Sequence, residues 1–316
     1  MATANMKDVK RRIKSVESTM QITKAMELVA SSKMRKAKMR AEAAQPFFKV
    51  LYDTMSDICE DKAFQSAFTS KGEDKSVLLI VVAGDRGLAG GFNSNVLKLA
   101  VQRADDLISK GKSVKIMAVG RKSVEFFDKR SYELYMSYPN IAEGIDTYTV
   151  NDIAESIIHD FKKGEYNSVE LVYTTLVSAL TQEPVNVQIL PVENLDRGET
   201  EGIKALTVYD PSPEAVFDGM IPQYMSGLLY SAIVDSYAAE QAARRTAMES
   251  ASDNAGEMID QLSLLYNRAR QAVITQELTE ALRANRTIDW QKKESARANM
   301  RGKAVKLRPN QILRRL

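Results

Sequence analysis

The feature that most restricts the fold of this chain is the distribution of glycine and proline, the two residues that interrupt helices. Residues 1–71 contain no glycine and a single proline, Pro46, and residues 228–301 contain no proline and a single glycine, Gly256. Eleven of the 15 glycines fall between residues 72 and 202. This distribution predicts a long helical segment at each end of the chain, with a loop-rich domain between the two.

Both helical segments carry apolar residues at alternating spacings of four and three, the pattern of a helix that packs along its length against another helix. Thr23 and Glu27 interrupt the N-terminal series, and Gln241 and Arg244 interrupt the C-terminal one. The N-terminal apolar positions are Val9, Ile13, Val16, Met20, Ala30, Met34, Ala37, Ala41, Ala44, Phe48, Leu51, Met55 and Ile58. The C-terminal ones are Tyr230, Val234, Tyr237, Met248, Ala251, Ala255, Met258, Leu262, Leu265, Ala269 and Ala272. Because both segments join the same central domain, we expect them to pair antiparallel.

The rise per residue of a helix determines which residues of the two segments lie opposite each other. If residue 58 lies opposite about residue 215, residue 8 lies opposite about residue 265, at ~1.5 Å per residue in both helices. Everything beyond about residue 270 then lacks a partner within the chain. That stretch nevertheless has an apolar side, formed by Val273, Ile274, Leu278 and Leu282. Leaving such side chains in water forgoes ~1.5–3 kcal/mol each, so we expect an apolar socket on another protein.

The same register brings the polar interruptions of the two helices together. Glu27 falls near Arg244 and Arg245. A buried pair of this kind would fix the register of the helices, although it is weak support for stability. Exposed residues at a point where the helices separate are the alternative, and the sequence leaves both open.

The middle of the chain changes from the helical period to short apolar runs bounded by turn residues. Strands are predicted at Val77–Ala83, Val114–Val119, Val169–Val177 and Val185–Leu190, and helices at Ser94–Ser109 and Asp152–Lys162. The run Val77–Ala83 is continuously apolar, as in a strand buried on both faces. Alternation of strands and helices favours a three-layer α/β domain with a mostly parallel sheet.

Composition excludes several classes of site. Cys59 and His159 are the single cysteine and histidine, which excludes a zinc site built from several such residues and a disulfide within the chain. No window approaches 18 uncharged apolar residues, so no membrane span is predicted. The net charge of +3 combines +9 in residues 281–316 with −6 in the remainder, so the basic balance belongs to the C-terminal end.

A glycine-rich loop, Gly84–Asn93, follows the first predicted strand at a place where phosphates often bind. Its glycines do not form G-x-G-x-x-G, and no G-x-x-x-x-G-K-[ST] occurs in the chain, so a structural turn or a partner contact is favoured over phosphate binding. Residues 7–40 hold 11 lysines and arginines against three acidic residues, which suits either an acidic partner or a solvated helix surface. Few aromatic residues accompany this charge, and nucleic acid is not the expected partner.

Three segments carry a family resemblance: Gln21–Lys36 (QITKAMELVASSKMRK), the loop Asp85–Asn93 (DRGLAGGFN) and Tyr266–Glu280 (YNRARQAVITQELTE). In this order, over about residues 4–281, the chain resembles the gamma subunit of ATP synthase. The resemblance implies an α/β protein with a long antiparallel α-helical coiled coil formed by both termini and a Rossmann-like globular domain. The domains expected from it are an N-terminal coiled-coil helix over 1–62, the globular domain over 72–205, a C-terminal coiled-coil helix over 212–284, and an atypical basic extension over 285–316, for which disorder is one expectation.

The resemblance also implies a function. Such a subunit is the central stalk, or rotor, of a proton-translocating ATP synthase, and it couples rotation of the membrane ring of c subunits to conformational cycling of catalytic sites on the beta subunits. The implied partners are the alpha and beta subunits of the head, the epsilon subunit and the ring. The resemblance further implies that the subunit itself is not catalytic and needs no cofactor. It also implies a peripheral location on the cytoplasmic face of the bacterial plasma membrane. Residues matching the family's contacts with beta subunits are Lys24, Met26, Lys33, Arg35, Arg244, Arg270, Gln271 and Thr275.

Two other kinds of function remain as alternatives. One is a static coiled-coil scaffold or tether with a globular head, and the other is a nucleotide-using enzyme built on the middle domain. The missing phosphate motifs argue against the enzyme. A scaffold differs from a rotor in tolerating a covalent link to one partner subunit.

Overall fold

The computed structural model describes residues 2–60, 64–69, 75–192 and 209–306. The helices in these ranges are α1 (Ala2–Cys59), α2 (Phe92–Ser109), α3 (Arg121–Phe127), α4 (Thr147–Lys162) and α5 (Pro213–Lys306). The strands are β1 (Ser76–Val82), β2 (Ser113–Val119), β3 (Glu133–Tyr138), β4 (Ser168–Leu176) and β5 (Gln182–Leu190). None of the helices within the described ranges has the length and apolar character that a membrane span requires.

The five strands form one sheet in the order β3-β2-β1-β4-β5. β1 pairs in parallel with β2 and β4, β2 pairs in parallel with β3, and only β5 runs antiparallel, against β4. The predicted mostly parallel sheet is therefore confirmed. β1 is buried over six of its seven residues, as expected for a strand covered on both faces.

Helices cover both faces of this sheet. On one face, α2 and α3 pack through a cluster that includes Val96, Ala100 and Phe127. On the other, α4 and the adjoining parts of α1 and α5 pack through a larger cluster that includes Ile157 and Phe217. The result is the three-layer arrangement expected from the alternation of strands and helices.

The chain divides into two compact units, one formed by Ile22–Ala251 and the other by Met1–Gln21 with Ser252–Leu316. In the first unit, α1 and α5 pack antiparallel: the ring of Phe48 lies against Gly227, while Met26, earlier in α1, shares a cavity lining with Arg244, later in α5. These pairs agree with the predicted register. Along α1 the buried residues include Thr23, Ala30 and Ala37, each seven residues apart.

In the second unit, the helices present half-buried stripes that end at Val273. The half-buried or buried positions include Val9, Ile13, Val16 and Met20 of α1 and Ala255, Leu262, Tyr266, Ala269 and Val273 of α5. From Ile274 to Met300 every residue of α5 is exposed. Among the residues that the structure describes, Ile274, Leu278 and Leu282 have no partner that covers them, as predicted, whereas Val273 is half-buried.

Several boundaries differ from the sequence prediction. α3 and β3 were not predicted, and α4 begins five residues before the predicted Asp152 because Asp146 caps it by accepting a hydrogen bond from the Thr149 N–H at 2.7 Å. α5 does not end near residue 284 but continues to Lys306, so residues 285–306 are helical where disorder was one expectation. The predicted boundaries at 62, 72 and 205, and residues 307–316, lie outside the described residues.

Candidate functional site

The glycine-rich loop is held in shape by side chains of its own unit. Asn93, in the first turn of α2, accepts a hydrogen bond from the Gly84 N–H at 2.8 Å and donates to the Arg86 carbonyl at 3.2 Å. The Asp85 carboxylate accepts from the backbone N–H groups of Arg121 and Asn140, both at 2.8 Å. The Asp85 carboxylate therefore ties the loop to the first residue of α3 and to the backbone of Asn140. The geometry favours the structural-turn interpretation of this loop.

A buried ion pair on α5 lies against this loop. Arg244 donates to the carboxylate of Glu240, one helical turn earlier, and through the same Nη2 to the Gly87 carbonyl at 3.1 Å. Only 9% of the Arg244 side chain and 4% of the Glu240 side chain are exposed. Burial raises the pKa of Glu240, while the hydrogen bond and charge of Arg244 oppose that rise.

This pair corrects the predicted partner of Arg244. The sequence pattern placed Arg244 near Glu27, but its ion-pair partner in the structure is Glu240, on its own helix. The i,i+4 spacing of Glu240 and Arg244 is the sequence signal for this pair, and it was not among the predicted contacts. Gln241 and Arg244 are both buried, so they are not exposed residues at a point where the helices separate.

Beside the ion pair lies a cavity of about 440 Å³, hereafter the loop cavity, between α1, α5 and the glycine-rich loop. Lys33 of α1 donates a hydrogen bond to Glu143 at its edge, and Arg86 lies 4.0 Å from the same carboxylate. The hydrogen bond from Lys33 is the largest cause of the lowered pKa of Glu143, and the neighbouring positive charges add to it. Burial raises the pKa of Tyr237, in the same lining, to about 12.

The predicted contact residues fall into three groups. Met26, Lys33 and Arg244 line the loop cavity together. Lys24 and Arg35 are exposed on α1, and Arg35 also lines a second cavity beside residues 176–179.

The third group belongs to the other compact unit. Arg270, Gln271 and Thr275 are exposed on α5, and the Thr275 hydroxyl donates to the Gln271 carbonyl at 2.9 Å. The structure thus brings three of the eight residues into one site and leaves the remaining five exposed on helix surfaces. Within the described residues no cluster of His, Cys, Asp and Glu has the arrangement of a metal site.

Comparison with known proteins supplies the family. A family model described as ATP synthase matches residues 5–284. The ATP synthase gamma chain of Ruminococcus albus is 66% identical over 278 residues, which are 88% of this chain and 96% of that relative. The gamma chain of Alkaliphilus metalliredigens is 44% identical over 280 residues, 87% of this chain and 96% of the relative. The chain belongs to the ATP synthase gamma-chain family.

A solved structure of the Euglena gracilis mitochondrial ATP synthase, comprising OSCP, F1 and c-ring, contains a chain that matches with a TM-score of 0.61 at 16% identity. The match covers 92% of this chain and 97% of that one, and it supports the fold. This gamma chain is accordingly a rotor subunit of an ATP synthase, a rotary ATPase, and a peripheral component of a membrane-bound complex. A static scaffold is not favoured. Residues 285–316 lie beyond the family match.

Proposed function

We propose that this chain is the central shaft of a proton-translocating ATP synthase and that it couples rotation of a membrane ring of c subunits to the catalytic sites of the head. The observation that carries the proposal is the family match over residues 5–284, together with 66% identity to a gamma chain of which 96% is covered. The proposed partners are the alpha and beta subunits, the epsilon subunit and the ring. The proposed location is the cytoplasmic face of the bacterial plasma membrane.

The proposed mechanism is a coupling between distant sites. A shaft that differs from side to side presents a different surface to each beta subunit at every angle, so the angle sets the nucleotide affinity of each catalytic site. Rotation by the ring then changes those affinities in turn, as a rigid-body movement against an interface. In this proposal ATP is made on the beta subunits, and the chain itself contributes no catalytic residue.

The exposed apolar side chains of α5 support the proposal that the head encloses this part of the helix in an apolar socket. Ile274, Leu278 and Leu282 are each about half to two thirds exposed in the free chain. Enclosing each of them in an apolar sleeve formed by alpha and beta subunits would contribute ~1.5–3 kcal/mol before the entropic cost of association. Arg270, Gln271 and Thr275, on the same stretch, would then make polar contacts with beta subunits. Lys24 and Met26 would face acidic loops of beta, with Lys33 and Arg35 as neighbours.

Affinity purification of the tagged chain from its own cells tests the proposal. We expect several other subunits to co-purify, with an ATPase activity that the chain alone lacks. Reconstituted into vesicles, the complex should acidify the lumen on addition of ATP, and a protonophore should abolish that signal. Sodium uptake that resists the protonophore would contradict the proton as coupling ion. Purification of the chain alone, without ATPase activity, would contradict the function itself.

A crosslink separates a rotor from a static tether. In a Gln271→Cys variant, a disulfide with a cysteine introduced into the facing beta subunit should stop ATP synthesis, because rotation is then blocked. Reduction of the disulfide should restore synthesis, which controls for damage by the substitutions. Synthesis that continues in the oxidised complex would favour the tether.

A further inference from the structure

The ion pair of Glu240 and Arg244 lies at the carboxyl ends of the parallel strands, the edge at which open α/β sheets bind their ligands. Gly84, two residues beyond the end of β1, faces the pair so closely that a β-carbon there would lie 2.8 Å from Glu240 Cδ and 3.0 Å from both carboxylate oxygens. The Glu240 side chain of α5 thus occupies the space next to Gly84, and the loop approaches it through a residue without a side chain.

Arg244 links the Glu240 side chain to the backbone of the loop through hydrogen bonds. Its Nη2 contacts both the Glu240 carboxylate and the Gly87 carbonyl. Only 9% of the Arg244 side chain is exposed, and its Nη2 is already engaged within the chain, so little of this residue is available to a carboxylate of another subunit. Arg86, of which 72% is exposed, and Lys33 lie at the edge of the same cavity and are accessible to a partner.

We propose that Arg244 is a positioning residue: with Glu240 it fastens the glycine-rich loop to α5, so that loop and shaft move as one body under torque. This inference rests on the proposed function, because a torque presupposes a rotor. In this proposal, Arg244 contacts Glu240 and the loop of its own chain and does not contact a beta subunit directly. The loop, held in this way, would present Arg86 at a constant position relative to the shaft.

A double-mutant cycle in the assembled complex tests the proposal. Glu240→Gln, Arg244→Gln and the double variant are compared by ions pumped per ATP hydrolysed, together with the melting temperature of the complex. We expect each single substitution to lower the number of ions pumped per ATP hydrolysed, because each one releases the loop from α5. The double variant should be no worse than the more affected single variant, because both remove the same fastening.

Two glycines of the loop give a matched pair that removes no charge. Gly84→Ala pushes a methyl group against the Glu240 carboxylate, whereas Gly87→Ala places the same group in open space and keeps the Gly87 carbonyl. We expect Gly84→Ala to lower the pumping ratio and Gly87→Ala to leave it unchanged. This pair also decides the matter if Glu240→Gln or Arg244→Gln prevents assembly, because Gly84→Ala displaces only the end of a flexible side chain.

The outcomes separate the two proposals. Arg244→Gln lowering the ratio while Glu240→Gln and Gly84→Ala preserve it would overturn the internal role and indicate a direct partner contact. An unchanged ratio in all variants would overturn it as well and leave the rotor function intact. A complex with the unaltered chain that hydrolyses ATP without pumping would contradict the proposed function instead.

Discussion

The ring of Phe48 fills the place of a side chain at Gly227. A β-carbon at position 227 would lie 1.4 Å from Phe48 Cε1 and 2.2 Å from Cζ, so the ring of α1 occupies space that any other residue of α5 would need. Both residues belong to the compact unit that contains the sheet. The contact aligns the two helices at one point, because the ring fits only beside a residue without a side chain.

Substitution of this glycine should therefore be costly. Gly227→Ala forces the Phe48 ring to rotate away, and we expect a loss of about 1–3 kcal/mol in the free energy of unfolding. Gly219→Ala is the matched control on the same helix, because a β-carbon there meets nothing within 4 Å. That control should gain ~0.5–1 kcal/mol from the better helix propensity of alanine. Urea unfolding of the full chain measures both, and equal effects would contradict the proposed fit.

A second stability prediction concerns Glu170, whose side chain is 5% exposed between α2 and the β4–β5 pair. Arg103 binds it with two hydrogen bonds of 2.6 and 2.7 Å, and Asn186 donates a third at 2.7 Å. Arg103→Leu leaves the carboxylate buried without its cation and should cost about 3 kcal/mol in unfolding free energy. Lys110→Gln, which removes an exposed cation just after the end of the same helix, should change stability little. Similar losses for both variants would contradict the importance of burial.

The ion pair of Lys33 and Glu143 should make the free energy of unfolding depend on pH in the acidic range. Because the hydrogen bond from Lys33 lowers the pKa of Glu143 below its ordinary value of 4.5, the pair stabilises the fold above that pH. Its contribution disappears as the pH falls through the lower pKa of the folded state. In Lys33→Gln the pKa of Glu143 should rise toward 4.5, which NMR titration of the carboxyl carbon can follow. An unchanged titration of Glu143 would show that Lys33 is not the cause.

A cation at Met26 should impair coupling more than assembly. Met26 is half-buried in the loop cavity, whose lining already includes Lys33, Arg86 and Arg244. Met26→Lys would bring a further cation to the acidic loop of beta that we propose to lie there, and so bind the shaft too tightly at one angle. We expect ATP-driven pumping to fall relative to ATP hydrolysis, and Met26→Leu, similar in size and uncharged, to pump normally. Pumping that keeps pace with hydrolysis in Met26→Lys would refute the prediction.

Removal of the basic extension should leave coupled synthesis largely intact. The family match ends at residue 284, and residues 285–300 are exposed on α5. A chain that ends at residue 284 keeps Gln271, Thr275 and the apolar residues that we propose the head encloses. One that ends at residue 270 loses them and should fail to assemble into a coupled complex. Loss of assembly in the shorter deletion would assign the extension an essential role.

Local patterns were sufficient for most of the fold. The heptad spacing predicted α1 and the paired part of α5, a continuous apolar run predicted β1, and short, largely apolar segments bounded by turn residues predicted β2, β4 and β5 to within a few residues. β3 escaped prediction because its side chains are mostly half-buried at the edge of the sheet, so Glu133–Tyr138 shows no clean alternation. α3 escaped because seven residues are too few for a helical period to show.

The candidate site was only partly predictable, because its contacts depend on tertiary structure. Arg244 had two carboxylates within reach by spacing, Glu27 across the helix pair and Glu240 one turn away. The close approach of Gly84 and Gly87 brings the loop to Glu240 and Arg244, and no local pattern encodes that approach. Contacts of Arg270, Gln271 and Thr275 depend on the surfaces of other chains, which lie beyond the reach of one sequence.

The exposed C-terminal part of α5 also bears on how a cell must produce this protein. A copy released without its partners exposes apolar side chains to water, namely Ile274, Leu278, Leu282, Ile288 and Trp290. Chaperones bind proteins with such exposed surfaces, and proteases degrade them. Surplus copies would thus be degraded quickly or would aggregate. Balanced translation of this chain with the subunits that enclose it is therefore a requirement set by the helix itself.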